Sequence, residues 1–134
     1  VKASSLCFQA AVVFVIAGML WGISMAISEN HAAFPAHAHL NLLGWASLFL
    51  FGVYYRLHPA LEKGRLTLLQ VWSWIVGTAV LVAGVGLIST GHPGAEPIAA
   101  IGSLIALAAM LLFGWTVFRT ENLKVRGPVI APAE

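Results

Sequence analysis

The chain has 134 residues, of which 60% are hydrophobic and only 9% charged. Soluble domains carry about 25% charged residues, so an ordinary soluble fold is excluded and the bilayer becomes the expected solvent. The formal net charge is +2 and there is one cysteine, which excludes an internal disulfide and any multi-cysteine metal site.

Four uninterrupted apolar runs reach the roughly 20 residues that a membrane helix needs: Leu6 to Ser28, His37 to Leu57, Leu66 to Ser89 and Pro97 to Phe118. They predict one domain over residues 1–134, an all-α integral membrane four-helix bundle with no room for a soluble catalytic domain. The first run is longer than the apolar region of a signal peptide and has no basic cluster before it, so it is expected to stay as a span. Cys7 in this run reads as a small core residue. "GMLWG" sets Gly18 and Gly22 four apart, a spacing that lets helices approach closely.

The second run begins after Pro35, which suits the first turn of a helix because its missing N–H would be unpaired there anyway. On the third run Gly77 and Gly84, and on the fourth Ala99, Gly102, Ala106 and Ala109, form further stripes of small residues. From about residue 120 the chain, ending "GPVIAPAE", is expected to be a mobile tail.

Basic residues are partitioned between connections. Lys2 precedes the first run, Arg56, Lys63 and Arg65 lie between the second and third, and Arg119, Lys124 and Arg126 follow the fourth. The segments "SENHAAFPA" and "TGHPGAE" have none. The asymmetry predicts both termini and the middle loop on the cytoplasmic side of a membrane such as the bacterial inner membrane, with the other two loops facing the periplasm. It explains the basic residues without a nucleic-acid partner. No acidic residue lies well inside a span, which argues against a proton-coupled exporter; Glu29 and Glu96 stand at outer helix ends.

His37 and His39 fall in the first turn of the second helix, near the outer boundary. Ionisable groups at that depth are costly and usually functional. At about 100° per residue their imidazoles project about 200° apart, so they cannot hold one ion together and instead serve two sites or one site shared between helices. The helix N-terminus disfavours protonated histidine, leaving the neutral form that ligates metals. Below His37 the same face is expected to continue through Asn41, Gly44, Leu48, Phe51 and Tyr55, and below His39 through Leu43, Ala46, Leu50 and Leu57. His31 and His92 in the outer loops read as solvated, with additional metal ligation as the alternative, and His58 as a solvated helix end. The five tryptophans suit interfacial belts, except that Trp45, two turns inside from His37, is a candidate for lining a cofactor pocket.

The stretch "HAHLNLLGWASLFLFGVYYRLHP", His37 to Pro59, resembles a transmembrane helix of the large, catalytic subunit of haem-copper oxidases, in particular the cbb3-type oxidases and nitric oxide reductases. The resemblance implies haem b as cofactor, with His37 ligating the high-spin haem and His39 the low-spin haem on the opposite face of the helix. It also implies one four-helix third of a twelve-helix subunit, completed as a homotrimer. No adjacent His-His pair occurs to build the family's copper site, and no Arg or Lys stands in the outer loops to meet haem propionates. His31, Asn30, His92, backbone N–H groups or water are left for that role.

The expected function is that of a membrane b-type haem protein in electron transfer or in binding a small redox gas such as O2 or NO, with His37, His39, Asn41, Gly44 and Trp45 forming the site. Any activity would be oxidoreductase-like. The alternatives are a histidine-based copper or zinc module and a non-catalytic structural subunit of a larger membrane complex.

Overall fold

The computed structural model describes residues 1–125. Four helices, each long and apolar enough to cross a membrane, make up the fold: α1 (Ala3–Ser28), α2 (Phe34–Leu57), α3 (Arg65–Ser89) and α4 (Glu96–Val125). Among the described residues there is no strand. The shortest, α2, has 24 residues, about 36 Å at 1.5 Å per residue, which exceeds the ~30 Å hydrocarbon core. The rows of exposed Val, Ile, Leu and Phe on every helix suit a surface that faces lipid; Ile16, Leu20, Leu50, Leu104 and Phe118 are examples.

The connections are short, so neighbours run antiparallel. One end of the bundle carries His31, His37, His39 and His92, and the other carries the basic residues among those described. Helix α1 starts at Ala3, earlier than the apolar run suggests, because the α2–α3 turn caps it: the Glu62 carboxylate accepts the Ser4 N–H at 3.0 Å and the Ser4 hydroxyl, and the Glu62 carbonyl accepts the Ala3 N–H. Helix α4 continues to Val125, so the expected tail starts in a helix; residues 126–134 of that tail lie outside the described residues.

Helices α3 and α4 pack backbone to backbone. A Cβ on Gly77 would lie 2.8 Å from the Ala106 nitrogen, and one on Gly84 or Gly102 would strike the backbone of Ala99 or Leu81. The small stripes of these two helices are this seam. Nearer the basic end, Phe51 and Tyr55 of α2 meet Trp74 and Phe113, and the Tyr55 hydroxyl donates to Gln70 Oε1 at 2.8 Å.

Helix α2 is not uniformly wound. Between α-helical ends, Leu40–Ser47 takes the wider π-helical winding, a form concentrated at functional sites. Two side chains occupy carbonyls along it: Ser47 Oγ donates to the Leu42 carbonyl at 3.0 Å, and Trp74 Nε1 on α3 donates to the Leu43 carbonyl at 3.0 Å. The extra residue per turn rotates the lower half of α2 against the upper, which breaks the faces expected from a regular helix. His37, Asn41 and Gly44 face α1, but Phe51 and Tyr55 turn to α3 and α4, and Gly52 meets Phe8 of α1 in their place.

Candidate functional site

Both candidate histidines lie in the α-helical first turns of α2, Phe34–His39, and the 200° separation expected for that winding puts them on opposite faces. They meet different surroundings.

His37 is half-buried against α1. A Cβ on Gly22 would come within 3.1 Å of its Cε1, and one on Gly18 within 2.5 Å of Asn41 Oδ1. The two glycines of "GMLWG" therefore make a flat floor for the His37 and Asn41 side chains and are not a helix–helix backbone contact. Asn41 Nδ2 donates to the His37 carbonyl at 3.0 Å and lies 3.2 Å from ring Nε2 and 3.4 Å from Nδ1. An amide N–H thus holds the imidazole from below, while Phe34 flanks it with ring centres 6.4 Å apart. Gly44, one turn lower, admits Phe14 of α1, which would lie 2.7 Å from a Cβ there.

His39 faces the other way, onto a groove of about 340 Å³ whose walls include Leu42, Leu43, Leu81, Ser103 and Ala106. Its Nδ1 lies 2.7 Å from the Pro35 carbonyl. A carbonyl only accepts, so neutral His39 carries its proton on Nδ1 and keeps a lone pair on Nε2. A carbonyl partner on one nitrogen that frees and orients the other is the usual support of a ligating imidazole. Proline at position 35 contributes through its carbonyl as well as through its fixed backbone. The Ser103 hydroxyl is turned back onto the Ala99 carbonyl at 2.9 Å, which leaves the groove wall largely apolar.

The structure does not gather the five candidate residues into one pocket. His37, Asn41 and Gly44 share the α1 face, His39 has the groove, and Trp45, 45% exposed, lies on the outer surface of α2. His31 and His92 are exposed in the loops at the same end. Among the described residues no group of three or more His, Cys, Asp or Glu side chains could hold a metal ion. His39 keeps one ring nitrogen that the Pro35 carbonyl does not hold, beside an apolar groove wall, and a second imidazole lies on the opposite face of the same helix.

His58 departs from the solvated end expected of it. Its side chain is 13% exposed, stacked on Tyr54 with ring centres 4.2 Å apart, held through Nδ1 by the Tyr54 carbonyl at 2.7 Å and paired with Glu121 of α4 at 3.7 Å. The partner is 63 positions away along the chain, and no local pattern marks it. No family model, curated protein or solved structure matches the chain.

Proposed function

We propose that the chain is a b-type haem-binding membrane protein that carries electrons, in which His39 would hold the haem through Nε2. The observation that carries this reading is the His39 geometry: a proton fixed on Nδ1 by the Pro35 carbonyl and an open Nε2 over an apolar groove. The groove is bounded by one protomer on one side only, so the reading includes a second copy of the chain that covers the other side. The second ligand would be the His37 imidazole of the next copy, reached at the part of the ring that its own α1 leaves uncovered. Contacts between two different faces must close into a ring or continue as a filament, and the likeness to one third of an oxidase subunit favours closure as a homotrimer.

In this arrangement haem would supply one-electron redox chemistry. The protein's own residues do the rest. The Pro35 carbonyl holds the His39 ring in one tautomer, Leu42, Leu43, Leu81 and Ala106 exclude water, and Asn41 sets the rotation of the His37 ring. A haem held by both His39 and His37 would have no place left for a substrate to bind, which favours electron transfer over gas binding. The basic end faces the cytoplasm in this reading, with both termini, and the histidine end faces the periplasm of a bacterial inner membrane.

The test is native mass spectrometry of the detergent-purified protein after haem supplementation, with elemental analysis of the same sample. Three chains with a whole number of haems uphold the proposal. A haem-loaded monomer refutes the bridging arrangement, and a colourless protein with stoichiometric copper or zinc refutes haem.

A further inference from the structure

The basic end of the bundle holds a second concave site, independent of the histidines. The α2–α3 turn, the start of α3 and the last membrane turns of α4 enclose a cleft of about 360 Å³ whose polar lining includes Arg65, Thr67 and Arg119, beside Leu66 and Trp115. Lining residues include no carboxylate. Among the described residues the ion pairs at this end are Arg56 with Glu62 and His58 with Glu121, so Arg65 and Arg119 have no acidic partner. The Arg119 guanidinium lies over the Trp115 ring, 5.2 Å from its centre, which fixes its position at the cleft wall.

Thr67 points to a ligand. It is only 4% exposed and lines the cleft, yet its hydroxyl has no hydrogen-bond partner among the described residues. Its neighbours are already committed: Thr116 Oγ1 donates to the Leu112 carbonyl at 2.9 Å and Thr120 Oγ1 to the Thr116 carbonyl at 2.8 Å. Gly64 precedes α3 with no side chain to cap it, so the first N–H groups of that helix add further donors. Two guanidiniums, a hydroxyl able to donate and a helix start form a donor-rich set with no carboxylate, which matches a tetrahedral oxyanion.

We propose that this cleft binds a phosphate group. Its position favours an anionic phospholipid as the source: Leu66 lines the cleft, and Leu69, Leu111 and Phe118, exposed on the same two helices, offer apolar surface for acyl chains. The site is separate from the haem reading and stands without it.

The experiment titrates delipidated protein in detergent with phosphatidylglycerol, and in parallel with a diacylglycerol of the same chains, read by native mass spectrometry. Phosphatidylglycerol should be retained and diacylglycerol should not. The double variant Arg65→Gln with Arg119→Gln should lose at least about tenfold in affinity, since a hydrogen bond to a charged group is worth about 1.5–3 kcal/mol. Thr67→Val should lose several-fold, and Arg56→Gln, outside the cleft, should lose nothing. Circular dichroism confirms that each variant is folded, and the Arg65→Lys, Arg119→Lys pair, which keeps both charges, should recover part of the binding. Displacement of the lipid by millimolar inorganic phosphate would assign the site to free phosphate, and resistance would assign it to the headgroup; both uphold the phosphate class. Equal retention of the two lipids, or undiminished binding by the folded Gln double variant, overturns the proposal.

Discussion

Adding one methyl group to each glycine under the His37–Asn41 pair separates two kinds of close contact. At Gly18 the new Cβ would lie 2.5 Å from Asn41 Oδ1 and 3.0 Å from both Cγ and Nδ2. The whole carboxamide must leave, and with it go the bond to the His37 carbonyl and the N–H beneath the ring. The lost hydrogen bond is worth about 1 kcal/mol and overpacking about 1–3 kcal/mol, against about 1 kcal/mol recovered when alanine replaces glycine in a helix. Gly18→Ala should therefore destabilise the bundle by about 1–3 kcal/mol. At Gly22 the nearest atom is His37 Cε1 at 3.1 Å, the edge of a ring that yields by a few tenths of an ångström, so Gly22→Ala should be within about 1 kcal/mol of wild type. Unfolding in mixed micelles followed by far-UV circular dichroism measures both. Equal effects of the two substitutions, or a stabilising Gly18→Ala, would refute the view that Gly18 exists to seat Asn41.

Gly102→Ala, which drives a methyl into the Leu81 backbone, should destabilise by about 1–3 kcal/mol, whereas Gly114→Ala, with nothing within 4 Å of the new atom, should be neutral or gain up to about 1 kcal/mol in the same assay. Trp74→Phe removes the indole N–H from the Leu43 carbonyl and should lower stability by about 1 kcal/mol, with faster amide exchange confined to the π-helical stretch of α2. Burial raises the Glu62 carboxyl, but the Ser4 hydroxyl and N–H and the charges of Arg56 and Lys2 outweigh it and leave the group below its ordinary value. A depressed carboxylate contributes its full stability above the unfolded value, near pH 4.3, and loses it as pH falls through the folded value. Wild type should thus lose melting temperature on acidification below about pH 4.5 while Glu62→Gln, lower by about 1 kcal/mol at neutral pH, stays flat over that range.

Spans and loops were legible because they depend on local composition: apolar runs interrupted by Asn30, Pro35, Gly64, His92 and Pro93 leave few alternatives. The small-residue stripes of α3 and α4 were legible for the same reason, but that Gly77, Gly84, Gly102 and Ala106 face one another across a single seam was not. Contacts set by distant residues were not. Glu62 lengthens α1 from 58 positions away, Trp74 grips the π-helical turn from 31 positions away, and neither leaves a local trace. The π winding in turn displaced Phe51 and Tyr55 from the face of His37, which the 3.6-residue period could not anticipate. "GMLWG" was recognisable as a close-approach motif, but what approaches it, two polar side chains, depends on the packing of α2.

The most direct test of the haem reading is the reduced-minus-oxidised absorption spectrum of haem-supplemented wild type and of His39→Ala, recorded side by side. Wild type should show a Soret band that shifts on reduction with the sharp bands of a six-coordinate bis-imidazole haem, and these should be lost in His39→Ala but not in His31→Ala or His92→Ala. A wild-type protein that takes up no haem, or a His39→Ala variant with the unchanged six-coordinate spectrum, would contradict that reading.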